Sequence, residues 1–405
     1  MLTHLGLKEF KGFIHAELPF SRLTFLVGAN AAGKSNVFDA IRFFQGIGLG
    51  LSLSEIFSGR WEGGQQTWAP LRGGSAEAAR GTGGRFGCLS DWSRAGQSLL
   101  HRVEVGIDPE PHVRLELAAF SSKKNWLVDS IADSLGSGWG VRDGGVIRVA
   151  LSRSGKGKSL ARDFSNHRSV LGQITPIASL NKEVLECQEA LLDCFKACRF
   201  LDLSPPQMRG YVPRQVRELG LHGQNLSGIL WQLCKDKDQK ERILDWLTEL
   251  CAPELTDLDF VHTDIGDVML KVKEGASWVS ARSLSDGTLR FLGLLVALET
   301  APEGSTILIE EVENGLHPTR ISLLVEMLTN YTKHRDVQVI ATTHSPYLLA
   351  QLPREVLDSV LLFARMPEDS RCEVRRLGDL PNFSEVMEKE GFERLFTTAW
   401  LERAL

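Results

Sequence analysis

A short glycine-containing segment near the start of the chain has the residue types needed to hold phosphate groups. Gly28-Ala29-Asn30-Ala31-Ala32-Gly33-Lys34-Ser35 fits the pattern G-x-x-x-x-G-K-[ST], between an apolar strand (23–27) and a predicted helix (35–45). The glycines let successive N–H groups converge on phosphate oxygens, and the helix N-terminus adds positive potential. Lys34 is predicted to neutralise the β- and γ-phosphates, and the Ser35 hydroxyl to bind Mg²⁺. The segment therefore predicts a site for ATP and Mg²⁺.

Two carboxylates end a second apolar run. Thr306-Ile307-Leu308-Ile309-Glu310-Glu311 is typical of a buried parallel strand that delivers acids to the C-terminal edge of a sheet. Glu310 is predicted to bind Mg²⁺, and Glu311 to polarise the attacking water as general base. Alone, the pair also fits a solvated strand end; together with Lys34 it favours catalysis.

A histidine ends a third apolar run, residues 338–343. His344 can hydrogen-bond the γ-phosphate or the attacking water. A single histidine at a strand end is more often structural, but in a nucleotide-binding sheet we predict a catalytic role.

Further motifs resemble one class of phosphate-loop enzymes. Leu284-Ser285-Asp286-Gly287-Thr288 resembles the LSGGQ signature of ABC and SMC-like ATPases and precedes the acidic strand, as it does in that class. Glu313-Asn314-Gly315-Leu316-His317-Pro318 looks like the D-loop region of the ATPases related to the RecF and OLD groups, and His344-Ser345-Pro346 is similar to their switch histidine. The resemblance covers only residues near 1–45 and 280–350. It implies an α/β fold, a P-loop NTPase of ABC/SMC head type, with a mixed β-sheet core, an antiparallel β subdomain and an inserted helical region.

The resemblance also implies which residues contact the nucleotide. Residues 7–13 are similar to the first strand and turn of that family, so Lys11 and Phe13 are expected to line the adenine and ribose. The helix that begins with Ser285, Asp286 and Gly287 is expected to face the γ-phosphate held by another protomer, because it cannot reach its own phosphate loop. A homodimer closed through the nucleotide sites is therefore implied. The phosphate-loop contacts are expected at Asn30, Ala31, Ala32, Gly33, Lys34, Ser35 and Asn36.

The sequence departs from the family pattern at three positions. Asp286 replaces a glycine, Thr288 replaces a glutamine, and Glu310 replaces the usual aspartate. The longer Glu310 must bind the metal through another rotamer or a water molecule. The Q-loop glutamine is not identifiable: Gln65 and Gln66 are candidates, with a plain surface loop as the alternative.

The order of predicted elements divides the chain into three segments. Residues 1–170 form an N-terminal ATPase lobe with antiparallel strands at 99–107, 112–118 and 146–151, and a mobile glycine-rich loop at about 58–87. Residues 171–280 form a largely helical insertion. Residues 281–405 form a C-terminal lobe that carries the signature, the acidic strand, the switch histidine and a C-terminal helix with Phe392, Phe396 and Trp400.

Composition excludes several classes of protein. Of the 405 residues, 43% are hydrophobic and 24% charged, which is ordinary for a globular chain. No apolar window reaches the ~20 residues that span a bilayer, so a cytoplasmic protein without a membrane partner is predicted. Seven cysteines without paired spacing favour reduced thiols, and Cys187, Cys194 and Cys198 are interpreted as core residues rather than metal ligands. A basic surface turn, with nucleic-acid contact as the lesser alternative, is formed by Arg153, Lys156, Lys158 and Arg162.

Three hypotheses for function follow. The preferred one is an ATP-switched component of DNA processing, repair or antiphage defence, with possible DNA contact and a separate effector protein such as a nuclease. The first alternative is the nucleotide-binding subunit of an ABC transporter. The second is a regulatory scaffold that binds ATP but hardly turns it over.

Overall fold

A computed structural model describes residues 1–123, 125–130, 140–142, 144–154, 159–177, 179–251, 255–380 and Phe383. Two predicted features lie outside these residues. They are the central part of the basic turn, with Lys156 and Lys158, and the aromatic C-terminal helix, with Phe392, Phe396 and Trp400. No helix in the described ranges is long and apolar enough to cross a membrane.

The described residues form strands and helices throughout the chain. The strands are β1 (Leu2–Phe10), β2 (Phe13–Pro19), β3 (Leu23–Gly28), β4 (Arg60–Glu62), β5 (Gln65–Trp68), β6 (Arg85–Arg94), β7 (Gln97–Gly106), β8 (His112–Phe120), β9 (Val128–Asp129), β10 (Gly140–Arg142), β11 (Val146–Leu151), β12 (Leu160–Ser165), β13 (Cys198–Leu201), β14 (Val212–Pro213), β15 (Leu255–His262), β16 (Asp267–Glu274), β17 (Ser277–Ser280), β18 (Ser305–Ile309), β19 (Val337–Thr343), β20 (Leu361–Arg365) and β21 (Cys372–Arg376). The helices are α1 (Lys34–Gly48), α2 (Leu53–Ser58), α3 (Lys182–Lys196), α4 (Pro205–Met208), α5 (Leu226–Leu233), α6 (Lys237–Cys251), α7 (Asp286–Glu299), α8 (Ile321–His334), α9 (Pro346–Ala350) and α10 (Arg354–Leu357).

The central sheet has the order β13-β18-β19-β3-β20-β21, and only β21 runs antiparallel to its neighbour. Its strands β3, β18 and β19 are buried along their whole length because both faces of the sheet are covered. Phe25 and Ile307 point into a core shared with α7 and α8, while Leu26 and Leu308 point into a second core around α1. The C-terminal ends of β3, β18 and β19 therefore meet at one edge, where all three predicted catalytic segments begin.

A second, antiparallel sheet covers α1. Its strand order is β10-β11-β9-β8-β7-β6-β1-β2, with β12 paired to β11. Phe43 and Phe44 of α1 pack edge-on against Phe86 and Trp92 of this sheet. The mixed core sheet and the antiparallel subdomain that the sequence predicts are therefore confirmed.

The stretch 58–87 is more regular than the glycine content predicts. It contains the hairpin β4–β5, and Trp68 at the end of β5 is buried, with its Nε1 donating to the Ile56 carbonyl at 3.2 Å. The prediction that this stretch lacks regular structure is therefore wrong for residues 60–68. The buried indole fixes the hairpin to α2, and β6 begins at Arg85.

The stretch 171–280 is not simply helical. It contains α3 to α6, but also β13, which pairs in parallel with β18, and the four strands β14 to β17 of a separate antiparallel sheet. The helical character is thus correct only in part, because β13 completes the central sheet. The division into three segments stays a prediction. Cys187, Cys194 and Cys198 are buried in the core around α1, as predicted.

Candidate nucleotide site

The phosphate loop connects β3 to α1 by a tight backbone turn. Gly33, directly before α1, has a φ of 106°, which lies in the region that favours glycine. At the other end, a Cβ on Gly28 would lie 2.3 Å from the carbonyl oxygen of Phe363 on the neighbouring strand β20. Both glycines of the motif are therefore required by the conformation, one by its backbone dihedral angle and one by the lack of space.

Lys34 lies inside this loop. Its side chain is 6% exposed, and its Nζ donates to the carbonyl oxygens of Gly28 at 2.7 Å and Ala29 at 2.9 Å. Burial lowers the pKa of Lys34 from its usual value to about 8, and the carboxylate of Glu311 opposes this shift. The ammonium group is thus held by carbonyl oxygens of the loop, in an environment where an additional anion would stabilise its charge.

The two carboxylates after β18 face different neighbours. Glu310 accepts from Nη1 of Arg72 at 3.4 Å, and burial raises the pKa of Glu310 above its usual value although Arg72 opposes the rise. Glu311 has a φ of 46°, and its Oε2 accepts from Nδ2 of Asn314 at 2.5 Å. Its backbone N–H donates to Oγ1 of Thr342 at 2.8 Å. The two carboxylates thus have different hydrogen-bond partners, Arg72 for Glu310 and Asn314 for Glu311, and their separate roles stay a prediction.

His344 follows β19 at the same edge. Its backbone N–H donates to Oε1 of Glu313 at 2.9 Å, which fixes the start of the turn. Burial lowers the pKa of His344, and the nearby charge of Lys34 lowers it further. The lowered pKa favours the neutral imidazole, although Glu311 and Glu313 oppose the shift, and a neutral imidazole can both donate and accept a hydrogen bond.

These segments line one open cavity of about 510 Å³. The cavity brings together eleven of the predicted residues: Lys11, Asn30, Ala31, Ala32, Gly33, Lys34, Ser35, Asn36, Glu310, Glu311 and His344. Their assignment to nucleotide, metal or water stays a prediction. Motifs that are far apart in the sequence therefore lie together in one cavity.

The cavity also contains charged residues that the sequence analysis missed. Asp39, almost fully buried, accepts from Nζ of Lys11 and from Nε of Arg72 at 3.0 Å. Arg72 donates in addition to the carbonyl oxygen of Ser35. Asp39 follows Ser35 by four positions, so one turn of α1 separates them, and this spacing was a usable signal. Arg80 and Arg365 complete the cationic lining.

Phe13 does not line the cavity, contrary to the prediction. It is fully buried, and its ring packs edge-on against Phe363 at 6.4 Å between centroids. The side chain at this position of β2 points toward the core, whereas Lys11 in the preceding turn points toward Asp39. Gln65 and Gln66 are exposed on β5 and are not among the residues that line the cavity.

The predicted signature segment lies outside the cavity. Ser285 caps α7, with its Oγ accepting from the Thr288 N–H at 3.1 Å. Ser285 and Asp286 are exposed and Gly287 is buried. None of the three lines the cavity that contains Lys34.

A close contact beside the phosphate loop gives a test of its packing. A Cβ on Gly12 would lie 2.4 Å from Sγ of Cys372, which also packs against Gly33. We expect Gly12→Ala to lower the free energy of unfolding by about 1–3 kcal/mol, because the new methyl group forces the buried Sγ to shift. Thermal unfolding of the purified variant measures this loss.

The matched control removes the sulfur atom. In Gly12→Ala/Cys372→Ala the new methyl group meets the Cβ of residue 372 at an ordinary 3.5 Å, and only Nδ2 of Asn36, at 3.1 Å, must still shift slightly. The double variant should therefore lose less free energy of unfolding than the sum of the losses in the two single variants. Strict additivity would show that the Gly12–Cys372 contact does not limit packing.

The fold and site define a P-loop ATPase of the SMC/AAA type. A parallel sheet presents the phosphate loop, the acid pair and the histidine at one edge, and an antiparallel sheet covers α1. The family described as "AAA domain, putative AbiEii toxin, Type IV TA system" matches residues 23–86 and 202–350, which is more than half of the chain. The chain belongs to this family.

Individual relatives match shorter parts. Over 95 residues the chain is 37% identical to the "ATP/GTP phosphatase" of Helicobacter pylori, which covers 23% of this chain and 24% of that protein. The chain thus spans about a quarter of that relative's length. Over 105 residues it is 29% identical to the uncharacterized protein MJECL11 of Methanocaldococcus jannaschii, covering 25% of this chain and 90% of that protein.

Similar solved structures include two SMC heads. The SMC head domain from Thermotoga maritima has 15% identity and a TM-score of 0.44, with 93% of this chain and 98% of that chain covered. The Smc head domain with an extended coiled coil bound to the C-terminal domain of ScpA, derived from Pyrococcus furiosus, has 14% identity and a TM-score of 0.49, with 96% and 98% covered.

Proposed function

We propose that this chain hydrolyses ATP at a site that a second copy completes, and that the ATP-bound dimer is a cytoplasmic switch in DNA processing, repair or antiphage defence. One observation supports the two-chain site above all. Lys34 and Glu311 line one cavity, whereas the exposed N-terminus of α7 at Ser285 lies outside it. The family description, which names a putative toxin of a type IV TA system, supports a role in defence. A separate effector protein such as a nuclease is a further part of the proposal.

The cavity has the donors that a triphosphate needs. The phosphate loop leads directly into the N-terminus of α1, where backbone N–H groups and the helix dipole favour an anion, and Lys34 lies within the loop. Lys11, Arg72, Arg80 and Arg365 add positive charge around the cavity. The triphosphate chain is therefore proposed to lie from Lys34 toward Arg80, with its γ-phosphate near His344.

The residues present also fit Mg²⁺. Ser35 and Glu310 offer a hydroxyl and a carboxylate, the oxygen ligands that this ion prefers. They lie near each other, because one guanidinium, that of Arg72, contacts both the Ser35 carbonyl and the Glu310 carboxylate. When bound, the ion would neutralise charge on the β- and γ-phosphates.

The chain's own residues supply the proton transfer. Glu311, held by Asn314, would take a proton from the attacking water, and the neutral imidazole of His344 would orient that water or the γ-phosphate. Lys34 would stabilise the negative charge that develops on the transferred group. In the dimer, the N–H groups at the start of α7 of the partner would complete the shell around the γ-phosphate.

Mixing two inactive variants tests the two-chain site. Lys34→Ala removes the phosphate cation, and Ser285→Arg blocks the start of α7 with a bulky side chain. Each variant alone should be inactive, since every composite site lacks one half. A mixture should recover part of the activity, because the substitution at Ser285 obstructs only one site of a mixed dimer, and the other site has an intact Lys34 and an intact Ser285.

The same experiment can contradict the proposal. Full activity of Ser285→Arg alone would show that one chain suffices.

The DNA-related role needs a separate measurement. Duplex DNA should stimulate hydrolysis at low salt, and the stimulation should be lost at high salt. A rate that DNA leaves unchanged at every salt concentration would count against direct DNA contact.

A further inference from the structure

Arg209, directly after α4, binds the turn that leads into α7. Its Nη1 donates to the carbonyl oxygens of Ala281 at 3.0 Å, Arg282 at 2.9 Å and Leu284 at 2.7 Å. Its Nη2 donates to Oδ1 of Asp286 at 2.5 Å. One planar cation therefore holds three carbonyl oxygens and a carboxylate, and Ser285 lies between the last two of these residues.

The base of Arg209 is itself fixed. The preceding residue, Met208, is 1% exposed and packs on α7, where a Cβ on Gly293 would lie 2.9 Å from its Cε. The Arg209 side chain thus starts beside the buried Met208 on the side of α7, and its guanidinium contacts the turn at the N-terminus of the same helix. This arrangement fixes the direction of the turn relative to the helix axis.

The turn itself lies at the surface. Arg282, Ser283, Ser285 and Asp286 are exposed, whereas Ala281 and Leu284 of the same turn are buried and the buried side of α7 begins at Gly287. The contacts of Ser285 given by the structure stay within α7, to Thr288. Losing Arg209 should therefore loosen the exposed turn while leaving the core beneath α7 packed.

We infer that Arg209 is a positioning residue, which holds the 281–286 turn so that Ser285 and the first N–H groups of α7 can meet the triphosphate of a second copy. The inference rests on the proposed function and adds to it a residue far from the motifs in the sequence. It also explains why Asp286 stands where the LSGGQ pattern has glycine. Asp286 is the acidic partner of Arg209.

ATP-driven dimerisation tests the inference. In a Glu311→Gln background, which blocks turnover, we expect Arg209→Ala to weaken the ATP-bound dimer by at least about tenfold, or ~1.4 kcal/mol. Arg209→Lys should recover little, because one ammonium group cannot replace a planar fork that serves four acceptors. Light scattering after size-exclusion chromatography measures the amount of dimer. A fluorescent ATP analogue at low protein concentration measures nucleotide binding by the single chain, and its affinity should stay within about twofold of the Glu311→Gln background.

The chain offers a matched control at the other end of α7. Nη1 of Arg335 donates to the carbonyl oxygens of Leu298 at 2.9 Å and Glu299 at 2.8 Å, which is the same kind of contact at the C-terminus of the helix. Arg335→Ala should leave dimerisation at the level of the background. An equal loss in Arg209→Ala and Arg335→Ala would overturn the inference, since general weakening of α7 would then account for both.

Two further variants separate the possible failures. Asp286→Ala removes only the exposed partner of Arg209, so it should cause a smaller loss of dimer at an unchanged melting temperature, even if Arg209→Ala folds poorly. Ser285→Arg blocks the interface directly. If Ser285→Arg prevents dimerisation and neither Arg209→Ala nor Asp286→Ala weakens it, the inference is wrong and the proposed function stands. If Ser285→Arg dimerises normally with ATP, the proposed function fails and the inference fails with it.

Discussion

The Glu311→Gln variant is expected to hydrolyse ATP about 10²–10⁴-fold more slowly than the unchanged chain and to accumulate as an ATP-bound dimer. The amide has nearly the shape of the carboxylate, and its oxygen can still accept from Nδ2 of Asn314. It cannot take a proton from water. Binding and dimer closure should therefore remain while the chemical step stops. Single-turnover hydrolysis and light scattering with ATP measure the two effects.

The neighbouring carboxylate provides the control for this prediction. Glu310→Gln should reduce activity through weaker Mg²⁺ binding, so raised Mg²⁺ should restore part of the rate, whereas Mg²⁺ should not restore Glu311→Gln. Equal rates for Glu311→Gln and the unchanged chain would count against Glu311 as the base. If the protein without substitutions hydrolyses ATP very slowly but still dimerises with ATP, the regulatory scaffold would be favoured.

The parts of the site that could be predicted from sequence are those in which neighbouring residues fix the geometry. A buried strand, a glycine turn and a helix N-terminus determine the position of Lys34 locally, and the end of β18 does the same for Glu310. His344 ends β19 in the same way. Since the strands are parallel neighbours, their C-terminal ends meet without any further information from the sequence.

The residues that were missed reach the cavity through long-range packing. Arg72 lies 33 positions from Asp39 and 238 positions from Glu310, in a stretch whose glycines hide any periodicity. Phe13 was assigned to the wrong environment because a turn precedes β2, and the sequence does not show on which residue the inward alternation of the strand begins. β13 was missed because it is short and lies between helices.

ATP binding is expected to weaken above about pH 8, by up to about tenfold per pH unit. In the chain without nucleotide, burial lowers the pKa of Lys34 to about 8. A bound triphosphate stabilises the ammonium form and raises this pKa again. Below pH 8 Lys34 is protonated with and without ATP, so the affinity is constant. Above it, binding must take up a proton, and the affinity falls as the pH rises. Titration of a fluorescent ATP analogue from pH 7 to 9.5 measures the slope.

Two substitutions at the same position isolate the charge of Lys34 as the cause. Lys34→Arg keeps a cation that does not titrate in this range, so its affinity should stay nearly constant from pH 7 to 9.5, whatever its absolute value. Lys34→Ala removes the cation and should bind about tenfold to a hundredfold more weakly at pH 7, because a hydrogen bond to a charged group contributes ~1.5–3 kcal/mol. An equal decline with pH in the unchanged chain and in Lys34→Arg would assign the pH dependence to a different group. A flat profile in the unchanged chain would show that the buried ammonium keeps its proton without the triphosphate, held by the carbonyl oxygens of Gly28 and Ala29.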